Sequence, residues 1–183
     1  MDFTHFRIDG LVLVTPKVFG DKRGFFLETY NKREFARGGI RADFVQGNHS
    51  RSGKGVLRGL HFQNGESVQA KLVRVVRGKV FDVAVDLRPG SDTFGQWQGV
   101  ELSETNKQLF FIPRGFAHGF LTLSSLVDFE YQVDNFYQPD TEGGIIWNDP
   151  DLNINWPKTG NLIVSEKDQK LPYLAEIKDN LSW

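Results

Sequence analysis

The sequence predicts a mainly β chain: an antiparallel sandwich or jelly roll with a few short helices. Three observations carry that expectation. Apolar residues recur with a period of two in several runs, which is the signature of strands. The runs are short and separated by Gly, Pro, Asn and Asp, the residues of turns. Phenylalanine is abundant, 16 of 183 residues, and aromatic side chains suit a pleated surface.

Taken in order, LVLV at 11–14 is a short apolar run, and NKREFARGG at 31–39 predicts a short helix ended by glycine. GVLRGLHFQ at 55–63 sets one histidine in a Gly-punctuated apolar run. AKLVRVV puts Lys71, Val73 and Val75 on one face. In KVFDVAVDLR, Phe81, Val83, Val85 and Leu87 alternate with Asp82, Ala84, Asp86 and Arg88, as in a half-buried strand. Arg77-Gly78 between these two runs marks a tight hairpin turn. LFFIP and HGFLTLS are two more strands, separated by the PRG turn at 113–115. DFEYQV sets Phe129, Tyr131 and Val133 against Asp128, Glu130 and Gln132. WNDPDLNINWP at 147–157 reads as an irregular arm, and LAEIKDN at 174–180 as a second short helix. Without a repeat, low-complexity stretch or linker, residues 1–183 are expected to form one domain.

Composition narrows the function. With 22 basic and 23 acidic residues, neither nucleic acid nor an anionic membrane is the expected partner. The absence of cysteine removes disulfides, thiolate metal sites and a cysteine nucleophile, and it fits a reducing compartment. LVLV is too short for a signal peptide, and no run approaches a membrane helix. A soluble cytoplasmic protein is expected.

A few polar groups fall on faces that are otherwise apolar. On strict alternation His61 shares a side with Leu57, Lys71 with Val73 and Val75, Tyr131 with Phe129 and Val133, and His118 with Phe120. A base, a cation and a phenol facing one concave interior would make an acid–base site. Each also has a plain packing reading: a hydrogen-bonded core histidine, a lysine reaching for water, a tyrosine at home in a strand. Metal binding is a further option. Gly55 and His61 are spaced as in the first cupin motif, and Pro113, Gly115 and His118 as in the second. Gln63, however, stands where the second histidine belongs, and Thr122 at the usual final asparagine. Two imidazoles make a poor transition-metal cage, so a cupin-like jelly roll without a metal is expected.

GVLRGLHFQ, QAKLVRVVRGKVFDVAVDLR, GSDTFGQW, IPRGFAHGF, WNDPDLNINWP and SEKD follow one another between about Phe19 and Asp168. Together they resemble the dTDP-4-dehydrorhamnose 3,5-epimerase family. The resemblance implies a cofactor-independent enzyme with no metal, working as a homodimer on a dTDP-4-keto-6-deoxy sugar. It implies His61 as the base, Asp168 as its carboxylate partner, Lys71 near the C4 oxygen and Tyr131 as the acid on the opposite face. His118 corresponds to a sugar contact, Arg23 and Arg58 to diphosphate contacts, and Tyr137 to an aromatic that stacks on thymine. Glu28, Gln46, Asn48, Glu142 and Lys167 align with further binding positions. The N-terminal strands would be exchanged or paired across the dimer, bringing Arg23 and Glu28 to the partner's pocket.

Local readings sit beside these roles. Ser165-x-x-Asp168 also fits a helix capping box. Strict alternation sets Arg58 and His61 on opposite faces, a conflict that a bulge at Gly59 would relieve. Phe62 replaces a common tyrosine and should point away from His61, while Asn64–Val68 has no readable pattern. Three rival functions remain open: an epimerase acting at C3 or C5 alone, a metal-dependent cupin, and a non-catalytic sugar-nucleotide binder.

Overall fold

The computed structural model describes residues 1–183. The first strands are β1 (Asp2–His5), β2 (Val12–Thr15), β3 (Val18–Asp21) and β4 (Gly24–Leu27), followed by helix α1 (Lys32–Arg37). Next come β5 (Gln46–Gly53), β6 (Val56–Gln63), β7 (Lys71–Arg77), β8 (Lys79–Asp86) and β9 (Trp97–Ser103). The chain continues through β10 (Leu109–Ile112), β11 (Phe116–Thr122), β12 (Leu126–Val133), β13 (Glu142–Gly144), β14 (Ile163–Val164) and helix α2 (Leu174–Ile177).

The long strands form two facing sheets. One runs β1-β2-β10-β7-β12-β5, the other β13-β6-β11-β8-β9, with β14 added beside β6. The pairings are antiparallel except β14 with β6. This is the jelly-roll sandwich expected of the sequence. The shared core contains Val73, Val75, Phe110, Ile112, Val127 and Phe129 from the first sheet and Val80, Ala84, Val100, Leu102, Phe116 and Phe120 from the second. Neither outer face is left wholly bare. Helix α1 is capped by Asn31, whose Oδ1 accepts from Arg33 N and Glu34 N, and ends at Gly38. It lays Phe35 on Val12, Val14, Leu72 and Phe111. The irregular arm and α2 bring Leu152, Trp156 and Leu174 onto Leu60, Val83, Val85 and Leu87.

That second cover corrects one expectation. β8 is not half-buried, because its Asp82/Ala84 side meets the sandwich interior while its Val83/Val85 side lies under the C-terminal arm. The Arg77-Gly78 turn is also not a hairpin, since β7 pairs with β10 and β12 whereas β8 pairs with β9 and β11. The turn carries the chain from one sheet to the other. Gly78 sits at φ 81, where a Cβ would come within 2.3 Å of the Leu126 carbonyl oxygen, so glycine permits the crossing. β1 and β2 complete the chain's own sheet, and the segment that stands apart is the β3–β4 hairpin. No helix is long and apolar enough to cross a membrane.

Candidate active site

Between the sheets opens a cavity of about 530 Å³, walled by β5, β6, β7, β11, β12 and the segment around β14. Its apolar lining includes Phe120 and Phe129, stacked with centroids 4.1 Å apart. His61, Lys71, His118, Tyr131, Arg58, Tyr137, Glu142 and Lys167 line it, with Asp168 at its wall.

The local irregularity of β6 creates this grouping. β11 pairs His118 with His61 and Phe120 with Arg58, so Gly59 and Leu60 stand opposite Gly119 alone. One extra residue reverses the alternation, and Arg58 and His61 share a side. Leu57, paired with Leu121, falls on the other side, contrary to strict alternation from the sequence. Glycine is required here, since a Cβ on Gly59 would lie 2.5 Å from the Gly119 Cα. Phe62 points outward as expected, packing edge-on against Trp183.

His61 Nε2 lies 2.8 Å from Asp168 Oδ1. The His61 side chain is 30% exposed and that of Asp168 only 6%, so the imidazole meets the cavity while its carboxylate is sealed behind it. Burial works to raise the Asp168 pKa, but the hydrogen bond and charge of His61, with the Gly59 and Ser165 hydrogen bonds, hold it below the ordinary 3.8. An ionised Asp168 can only accept, so Nε2 carries the proton and Nδ1 keeps its lone pair. The capping box does not form: Ser165 Oγ accepts from Asp168 N at 3.0 Å, but the Asp168 carboxylate turns to His61 and the Gly59 N–H instead of back to Ser165 N.

A second imidazole–carboxylate pair lies deeper. His118 Nε2 is 3.1 and 3.0 Å from the two Asp82 oxygens, and both residues are buried. Desolvation lowers the His118 pKa against the pull of Asp82. Lys71 extends from β7 with Nζ 3.4 Å from the His61 carbonyl oxygen. Desolvation lowers its pKa to about 8, while Asp82 and Glu142 act in the opposite direction. Burial raises the Tyr131 pKa, opposed by Arg58, so its phenol stays protonated at neutral pH.

At the rim, Arg58 Nε donates to Ser52 Oγ at 3.2 Å. Glu142 accepts from the Tyr137 hydroxyl at 2.8 Å and from Lys167 Nζ at 2.5 Å. Burial pushes the Glu142 pKa up, but these two bonds and the Lys167 charge leave it lowered. Gln46 and Asn48 do not line the cavity themselves: Gln46 Oε1 accepts from Tyr137 N, and Gln46 Nε2 donates to Asn48 Oδ1. Arg23 and Glu28 are not brought to this cavity: Arg23 pairs with Asp21 in the β3–β4 hairpin, and exposed Glu28 accepts from Asn31. Sequence reasoning missed Asp82, Ser52 and Gln63. The signal for Asp82 was a charge in a strand whose two faces are both covered, which no single-strand pattern reveals.

The residues in the cupin-ligand positions do not fit an ion. Gln63 uses its carbonyl on Gln138 N, Thr122 Oγ1 donates to the Gly53 and Val56 carbonyls, and each imidazole faces its own carboxylate. No three His, Asp or Glu side chains converge.

Residues 5–176 match the family model described as dTDP-4-dehydrorhamnose 3,5-epimerase. The dTDP-4-dehydrorhamnose 3,5-epimerase of Escherichia coli (strain K12) is 52% identical over 97% of this chain and 96% of its own length. That of Salmonella typhimurium is 54% identical over 92% and 93%. The crystal structure of dTDP-6-deoxy-D-glucose-3,5-epimerase from Legionella pneumophila Philadelphia 1, in complex with dTDP-4-keto-L-rhamnose, superposes with a TM-score of 0.95 at 49% identity, covering 99% of this chain and 97% of that one. With its jelly roll, its paired imidazole and these relatives along nearly its whole length, the chain belongs to the dTDP-4-dehydrorhamnose 3,5-epimerase family.

Proposed function

We propose that the protein inverts C3 and C5 of a dTDP-4-keto-6-deoxy sugar, with His61 as base and Tyr131 as acid. The observation that carries this reading is the His61–Asp168 pair opening onto the same cavity as Lys71 and Tyr131. A hydrogen on C3 or C5 is acidic because the neighbouring C4 ketone can hold the electron pair as an enolate. His61 Nδ1 removes the proton, and Asp168 balances the resulting imidazolium. The electron pair moves to the C4 oxygen, where the Lys71 ammonium stabilises it. Tyr131 returns a proton to the opposite face, the enolate collapses to the ketone, and solvent restores both protonation states. The same cycle serves each carbon.

Arg58 suits the diphosphate, since a guanidinium matches phosphate oxygens. Tyr137 offers a face for thymine, with Gln46, Asn48, Glu142 and Lys167 around it, and His118 orients the sugar. Arg23 and Glu28 would act in trans, in a homodimer. Supporting that reading, the β3–β4 hairpin exposes Phe25 at 62% and Phe26 at 69% beside Arg23, an apolar surface that a second copy would cover. Sedimentation should give a dimer; a monomer at micromolar concentration would remove the trans contacts.

The deciding experiment is proton NMR of substrate in deuterated water. Wild type should place label at both carbons and His61→Ala at neither. Label at a single carbon would make the enzyme a one-site epimerase, and wild-type exchange in His61→Ala would refute the assignment of the base.

A further inference from the structure

We propose that Gln63 is a positioning residue which, with Asn64, braces the wall carrying Tyr137. The inference rests on the reading that the cavity takes a nucleoside-diphosphate sugar. Residues 134–141 lie between β12 and β13 and belong to neither sheet, with only one turn at Pro139–Thr141. Backbone ladders therefore do not fix Tyr137, and side chains must. Gln63 is 4% exposed, and its Oε1 accepts from Gln138 N at 2.8 Å and from Thr141 Oγ1 at 3.2 Å. One residue on, Asn64 N donates to the Thr141 carbonyl at 2.9 Å. Asn64 Oδ1 in turn accepts from Ser182 N at 2.9 Å, and Trp183 Nε1 donates to the Leu87 carbonyl at 3.0 Å. The wall, the end of β6 and the C-terminal tail thus form one connected strut, which gives Asn64 its place.

The other end of the Gln63 amide supports the inference. Its Nε2 is buried without a partner. Buried unpaired donors are rare and costly. The amide is held by what its carbonyl does, at the expense of its own N–H. Where a metal-binding cupin would present a ligand, this chain presents a clamp.

The test uses calorimetric binding of thymidine diphosphate together with steady-state kinetics on the nucleotide sugar. Gln63→Met removes the acceptor at similar volume and also removes the unpaired donor, so these two effects on folding oppose each other. Its Kd and KM should each rise about tenfold, the scale of one or two lost hydrogen bonds, with kcat within about threefold of wild type. In a Tyr137→Ala background the same change should add little, because the brace acts through that wall. Thr141→Val, at a half-buried position, should raise Kd in the same direction and carries the test if Gln63→Met does not fold. Unchanged affinity in both variants, or a full tenfold loss in the Tyr137→Ala background, would overturn the brace and leave the epimerase reading standing. Failure of the wild type to bind thymidine diphosphate would remove the ligand reading and the brace with it.

Discussion

Replacing Lys71 with methionine should make the protein more stable and nearly inactive. Lys71 is charged in a place that disfavours charge: its pKa falls from 10.5 to about 8 because burial outweighs the attraction of Asp82 and Glu142. At about 1.36 kcal/mol per pH unit, holding the proton there costs the folded state up to about 3 kcal/mol. The sign follows from proton counts. Below pH 8 both folded and unfolded chains carry the proton and the full penalty applies. Between about 8 and 10.5 the folded chain has released it while the unfolded chain still holds it, so stability rises with pH. Above that window the penalty is gone. Urea unfolding of wild type and Lys71→Met should therefore show the variant ahead by up to about 3 kcal/mol at pH 7, converging near pH 10.5. Exchange at both carbons should fall about 10²–10³-fold, the scale of one lost enolate-stabilising group. Wild-type activity should decline through pH 8 as the ammonium is lost. A variant less stable than wild type at pH 7, or a gap that does not close with pH, would refute the reasoning.

Asp168→Asn should cut turnover by about 10²–10⁴-fold with little change in KM, because the imidazolium loses its counter-charge and the tautomer its anchor. It should also weaken the acid limb of stability, since a carboxyl held below 3.8 stabilises the fold above that pH and loses its effect as pH falls through its folded pKa; an unchanged acid limb would contradict the pairing. Tyr131→Phe should still permit wash-out of hydrogen into deuterated water while slowing inversion by about 10²-fold, and equal rates for both processes would remove Tyr131 as the acid. Arg58→Ala should raise the Kd for thymidine diphosphate about tenfold or more through a lost charge-assisted contact, and an unaltered affinity would take it out of the site.

The central strands β7, β8, β10, β11 and β12, the two short helices and most of the proposed site were legible because each depends on local chemistry. Alternation marked β7 and β12, Asn31 and Gly38 bounded α1, and the histidine, lysine and tyrosine stood out against apolar neighbours. The sequence by itself determined which groups were available, and that a glutamine and a threonine stand at two of the cupin ligand positions. Three-dimensional contacts decided the rest. Which side of β6 His61 occupies hangs on a bulge, and the bulge depends on Gly59 meeting Gly119 across the sheet. Whether Asp82 faced solvent or His118 depended on a C-terminal arm covering the other side of β8 from more than sixty residues away. Alternation reports the two faces of a strand but not what lies against them. Partners distant in sequence supply that information, and they alone turn a lysine, a glutamine and an aspartate into a tuned cation, a clamp and a buried counter-charge.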